Sequence, residues 1–164
     1  DRVRQCQLAV EQINAVRPIQ YLAELSQVDF DQVEHAITDE VAHRRARHVV
    51  GEVQRTKDAV EALKNGDIVK FGQLMNQSHV SLRDDYEVTG IELDTLVEEA
   101  WKIEGVVGSR MTGAGFGGCT VNIVKKENVK KFIKKVGKAY KKKIGYWPDF
   151  YVVKLGDGPR KVEG

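Results

Sequence analysis

The sequence is poor in the residues that announce disulfide, metal or membrane chemistry. It carries two cysteines, Cys6 and Cys119. They are too few and too far apart for a disulfide framework or a zinc site, and such sparse usage favours a reducing, cytoplasmic setting. No apolar run approaches the roughly 20 residues that a spanning helix needs, and none reads as a signal peptide, so no membrane partner is expected. His35, His43, His48 and His79 show no metal-ligand spacing and H-E-x-x-H is absent. No metal site is expected, and these histidines read as surface or partly buried polar groups. There is no repeat, linker or low-complexity segment.

What is present is a chain of 164 residues with 41% hydrophobic content, enough for one domain with a real core. Net charge is +2 but unevenly spread: residues 1–124 carry 13 basic and 20 acidic side chains, residues 125–164 carry 13 and 4. A mildly acidic body is followed by a basic segment.

Apolar spacing predicts a helix from Val3 to Ala15, ended by Arg17-Pro18. Asp29 is the expected N-cap of a long helix from Phe30 to Arg55, or of two helices broken near Gly51. Asn65-Gly66-Asp67 reads as stop, turn and restart. Further helices are expected over Ile68–Leu82 and Glu92–Trp101, joined by the connector RDDYEVTG (Arg83 to Gly90). After Gly105 the character changes. VVGSRMT and CTVNIV read as strands, ENVKKFIKKVGKAYKKKIG as an amphipathic helix, and DFYVVKL as a third strand. Helices followed by β–loop–β–α–β indicate an α+β fold, with a small sheet covered by helices.

Between the first two strands stands MTGAGFGGCTV, with four glycines among the six residues Gly113 to Gly118. Glycine inside an element costs about 0.5–1 kcal/mol against alanine, so such a density implies positive φ or close backbone approach. Gly113, Gly115 and Gly118 match G-x-G-x-x-G, but a dinucleotide fold needs that motif to open a helix, and here it opens a strand. A protein-kinase glycine loop needs a catalytic lobe after it, with H-R-D and D-F-G, and neither is present. A Walker loop needs Gly-Lys-Ser/Thr, and the lysine is missing. The bland alternative is a tight glycine hairpin packed on a neighbouring helix.

GSRMTGAGFGGCTV (Gly108 to Val121) resembles the third motif of the GHMP kinases, the family of galactokinase, homoserine kinase and mevalonate kinase. RRARHVV (Arg44 to Val50) and FGQLMNQSHVSLRDDYEVTGIELDTLVEEAW (Phe71 to Trp101) are similar to the galactokinase branch in particular. The resemblance covers nearly the whole chain. It implies that residues 1–164 form a GHMP kinase C-terminal domain, with a small antiparallel, ferredoxin-like sheet packed by several helices. It implies an ATP- and Mg²⁺-dependent enzyme that phosphorylates α-D-galactose at C1, with its active site between this domain and an N-terminal one. The family's catalytic aspartate, its arginine partner, the nucleotide loop and most sugar contacts lie in that N-terminal domain. Neither G-E-H-T-D nor P-x-G-x-G-L-S-S-S occurs here, so the chain is expected to begin just past the sugar-binding part. The expected partners are therefore that N-terminal domain and, in the intact enzyme, galactose and ATP. No catalytic residue is assigned to this chain, and tight binding of a cofactor by it alone is not expected.

The third motif maps onto Thr112, Gly113, Ala114, Gly115, Phe116, Gly117 and Gly118, which the resemblance places at the domain interface near the phosphates and the sugar. Phosphoryl transfer is mostly positioning and electrostatic stabilisation. A glycine loop can present backbone N–H groups to anionic oxygens, or it can hold another loop in shape; both roles stay open, and either puts the constraint on the glycines in what the loop faces. Departures from the family pattern are small. Ala114 stands where many members have glycine, Thr89-Gly90-Ile91 replaces a usual Ser/Thr-Cys-Pro, and Arg2 is followed by Val3 instead of a second arginine. A non-catalytic sugar- or ATP-sensing relative would share this fold.

Asp84 and Asp85 are adjacent and do not share a helix face, which suits capping and salt bridges better than acid–base work; Arg83 is the expected partner. Arg44, Arg45 and Arg47 are expected to pair with nearby acids such as Asp39 and Glu40, in preference to nucleotide phosphates. Cys119 reads as a small buried hydrophobe. Ten lysines between Lys125 and Lys143 raise the third alternative, a nucleic-acid module, but aromatic interleaving is lacking. A solvated helix face is expected instead, with no nucleic-acid partner.

Overall fold

The computed structural model describes residues 1–154 and Gly156. Six α-helices and one antiparallel strand pair follow in the order α1 (Arg2–Ile13), α2 (Gln27–Val33), α3 (Glu40–Lys64), α4 (Ile68–Asp84), α5 (Ile91–Trp101), β1 (Val106–Thr112), β2 (Cys119–Val124) and α6 (Val129–Ile144). The fold is α+β, as expected, with a smaller sheet.

Side-chain caps set the starts of α2, α3 and α4. Asp29 is not the N-cap of a long helix. Ser26 caps α2 and Asp29 is its N3 partner in a reciprocal capping box, each side chain answering the other's backbone N–H. Ser26 Oγ also donates to Asp29 at 2.6 Å, and Arg17 pairs with it at 2.5 Å. These bonds, the one from Ser26 foremost, lower the Asp29 pKa to about 2. The next helix starts separately, with Asp39 accepting from the Ala42 amide. It runs 25 residues straight through Gly51, where the Arg55 guanidinium lies across the vacant Cβ position.

The strands pair antiparallel, with Met111 opposite Thr120 and Thr112 opposite Cys119, and an irregularity between Val106 and Gly108. The strand expected over DFYVVKL does not form in the described residues. Asp149 to Lys154 carry no strand pairing, and Leu155 lies outside the described set. Tyr151, Val152 and Val153 stand exposed. Among the described residues the sheet therefore has two strands.

Three apolar clusters hold the layers. Ile13, Phe30, Ala42 and Val50 join α1, α2 and α3. Leu82, Val88, Leu93 and Met111 lie under the β1–β2 turn. Ala100, Ile103, Phe132 and Val136 join α5 and α6, with Phe150 packed against them. Gly72 on α4 faces Gly108 on β1 so closely that a Cβ on Gly108 would lie 2.7 Å from the Gly72 Cα. Helix backbone rests directly on strand backbone there, which any side chain would prevent.

Candidate functional site

The glycine-rich segment is a loop closed by the last two pairs of the β-ladder. Its backbone is unlike ordinary turn. Gly113, Gly115 and Gly117 have φ of +86°, +82° and +95°, and Phe116, which has a Cβ, sits at +54°. A bulky residue in the left-handed region is strained, and such strain gathers at functional sites. Thr112, Gly113, Ala114, Phe116, Gly117 and Gly118 are exposed; Gly115 is partly covered. Phe116 is 74% exposed, so the loop presents an aromatic ring to solvent. Cys119, which follows it, is exposed instead of buried, as is Val121 two residues on.

One point of the loop is fixed from within. The Phe116 amide donates to the Val88 carbonyl at 2.9 Å. A Cβ on Gly115 would overlap that same carbonyl oxygen. Gly115 is therefore required by this chain's own connector, and its constraint does not come from what the loop faces. At Gly113 and Gly117 nothing lies within 4 Å of an added Cβ, so there the constraint is the positive φ.

The strand leading into the loop is held by His79, which is fully buried on α4. Its Nδ1 accepts from the Met111 amide at 3.2 Å. That bond fixes the tautomer, leaving the proton on Nε2. Nε2 lies 3.2 Å from Asp94 Oδ1, at ion-pair distance but not aligned as a hydrogen bond. Burial lowers the His79 pKa, with Asp94 opposing, so the ring is a neutral strut. Trp101 meets it edge-on at 5.8 Å.

The connector between α4 and α5 is held as firmly. Arg2 donates to the carbonyls of Tyr86 and Glu87 at 2.5 and 2.6 Å. Arg45 donates to the Asp85 carbonyl and, at 2.5 Å, to the Glu87 carboxylate. Arg44 also reaches Glu87, and Arg47 pairs with Asp85 at 2.5 Å. These arginines thus answer connector acids, and Arg44 alone approaches Glu40, at 3.7 Å. The hydrogen bond from Arg45 holds the Glu87 pKa below the usual carboxylate range. Arg83 pairs with Asp84 at 2.8 Å, so the two adjacent aspartates serve different arginines.

The sequence pattern locates the loop but gives Val88 no role, reads His79 as a surface or partly buried polar group, and gives Arg45 an acidic partner without naming Glu87. A signal for Arg45 exists: Ala42, Arg45, Ala46 and Val49 follow i, i+3, i+4, i+7, which puts an arginine on the core stripe. Val88 acts through its backbone, which side-chain patterns do not register.

Comparison with known proteins agrees with this architecture. Residues 59–142 match the model of the GHMP kinases C terminal family. The chain belongs to that family. Galactokinase of Clostridium beijerinckii is 55% identical over 162 residues, and that of Fusobacterium nucleatum 56% over 164, each alignment covering 99% of this chain and 42% of the relative. The crystal structure of Lactococcus lactis galactokinase complexed with galactose superposes with a TM-score of 0.92 at 48% identity, over 98% of this chain and 42% of that one. The chain spans about two-fifths of the length of the relatives it matches and corresponds to their C-terminal part. The matched region contains the whole glycine loop together with α4, α5 and the connector.

Proposed function

We propose that residues 1–164 form the C-terminal domain of a cytoplasmic galactokinase, a two-domain enzyme that transfers the γ-phosphoryl group of ATP to the C1 hydroxyl of α-D-galactose. The reading is carried by the loop Thr112–Gly118: exposed, with four of its residues at positive φ, and set in a sequence similar to galactokinases from end to end. The loop forms one wall of a cleft completed by the N-terminal domain. The Phe116 amide is taken by the Val88 carbonyl, which leaves the other backbone N–H groups of this largely exposed loop to meet the oxygens of a phosphoryl group. Positioning of this kind is most of what phosphoryl transfer asks of a protein. Mg²⁺ would supply charge neutralisation at the phosphates. The family resemblance assigns the group that accepts the sugar's proton to the N-terminal domain.

A coupled ADP-release assay with galactose and ATP tests this. The full-length enzyme is expected to turn over, and the isolated 164-residue chain to stay at background. Turnover by the isolated chain that survives repurification would overturn the division of labour. A full-length protein that binds galactose without turnover would be the sensing relative instead.

A further inference from the structure

Arg45 is among the largest side chains in the core, 2% exposed, and its hydrogen bonds go to Gln5, Asp85 and Glu87, not to the loop. Its guanidinium is nevertheless spent on the segment the loop rests on. Nε donates to Gln5 at 2.9 Å, Nη1 to the Asp85 carbonyl, and Nη2 to Glu87 Oε2 at 2.5 Å. Glu87 sits at φ +54°, a conformation that persists for a non-glycine residue when its surroundings over-determine it. The next residue is Val88, buried in the cluster with Leu82, Leu93 and Met111. Its carbonyl binds the Phe116 amide and excludes a Cβ at Gly115. The contacts run unbroken from α3 through the connector to the loop.

We infer that Arg45 is a positioning residue for the glycine loop, imposing on residues 85–88 the path that presents the Val88 carbonyl to Gly115 and Phe116. The guanidinium fork suits this task because it satisfies a carbonyl and a carboxylate in one plane, which an ammonium cannot do. The consequence for catalysis rests on the galactokinase reading above; the positioning itself does not. With the guanidinium gone, Arg2 still holds the Glu87 carbonyl and Arg44 reaches its carboxylate, but the Asp85 carbonyl loses its buried donor; Glu87 then relaxes from its left-handed conformation, and the Val88 carbonyl turns with it.

The test uses the full-length enzyme with Arg45→Met, which keeps most of the stem, Arg45→Lys, and Glu87→Gln. Hydrogen exchange is followed in peptides covering Met111–Val121 and, as an internal standard, α6. Arg45→Met is expected to speed exchange in the loop peptide on the order of tenfold while α6 stays unchanged, with Arg45→Lys recovering part of the protection and Glu87→Gln giving a smaller effect. kcat is expected to fall on the order of 10²-fold with Arg45→Met, with KM for galactose nearly constant. Unchanged loop exchange, or a parallel rise in loop and α6, would overturn the inference, the second because it describes general loosening. Faster loop exchange at full kcat would uphold the positioning role and refute the catalytic role proposed for the loop. If Arg45→Met does not fold, Arg45→Lys and Glu87→Gln decide by the same readings.

Discussion

His48 on α3 stacks on Tyr86 of the connector, their rings 4.4 Å apart and inclined by 24°. His48 Nδ1 lies 3.0 Å from Ser81 Oγ, which donates in turn to Asp85 at 2.9 Å. Burial drives the His48 pKa down to about 4; Glu52 and Asp85 oppose the shift, while Arg55 and Arg110 add to it.

That depression makes stability pH-dependent. Unfolded, the ring titrates near its ordinary value of about 6.5. Between that value and about 4 the unfolded chain binds a proton that the folded chain refuses. Stability therefore falls as pH drops through this window, with a slope of up to about 1.4 kcal/mol per pH unit for one group. His79, depressed in the same direction, steepens it. The measurement is melting temperature against pH from 8 to 4. His48→Gln should flatten the curve; an unchanged slope would remove His48 as the source.

The loop glycines divide by mechanism. Gly115→Val sets a branched Cβ against the Val88 carbonyl, so the isolated chain itself should lose melting temperature. Gly117→Val meets open space and bears chiefly the strain of its positive φ, of order 1–3 kcal/mol. In the full-length enzyme its turnover should fall on the order of 10²-fold, because displacements of about 1 Å can cost that much. Equal destabilisation by both changes, with activity tracking the folded fraction, would mean that the loop serves its own hairpin.

Gly108→Ala probes the floor beneath the site. Its methyl would lie 2.7 Å from the Gly72 Cα and 2.8 Å from the Gly72 carbonyl oxygen. Neither is the end of a flexible side chain, so α4 must lift from β1. Overpacking of this kind costs about 1–3 kcal/mol, or about 2–4 °C of melting temperature per kcal/mol in a chain of this size. A neutral result would show that the contact between helix and strand yields easily.

The lysine-rich helix should not bind nucleic acid. All ten lysines from Lys125 to Lys143 are exposed, while Phe132, Val136 and Tyr140 face inward. Titration with random-sequence DNA or RNA near physiological salt should show no affinity tighter than the roughly 10⁻⁴–10⁻⁶ M of non-specific binding. A sub-micromolar, sequence-selective complex would give this face a function of its own.

Most of the architecture was readable along the chain. Apolar spacing placed the helices, Asn65-Gly66-Asp67 placed the break between α3 and α4, and glycine density marked the loop, because these are local consequences of periodicity and backbone freedom. The long helix expected from Phe30 broke into two because the reciprocal box of Ser26 and Asp29 and the Asp39 cap were stronger start signals than the apolar spacing spanning them. Long-range partnership was not legible. That Arg45 answers Glu87 from 42 residues away, that His79 carries the Met111 amide, and that the Val88 carbonyl fills the space of a Gly115 side chain all depend on how α3, α4 and β1 pack. The sequence by itself determined that a glycine-rich loop would join two short strands beneath a layer of helices. Tertiary structure decided which glycine is required by the chain's own backbone and which are free to face a ligand, because a backbone carbonyl carries no side-chain signature and acts only where the fold aims it.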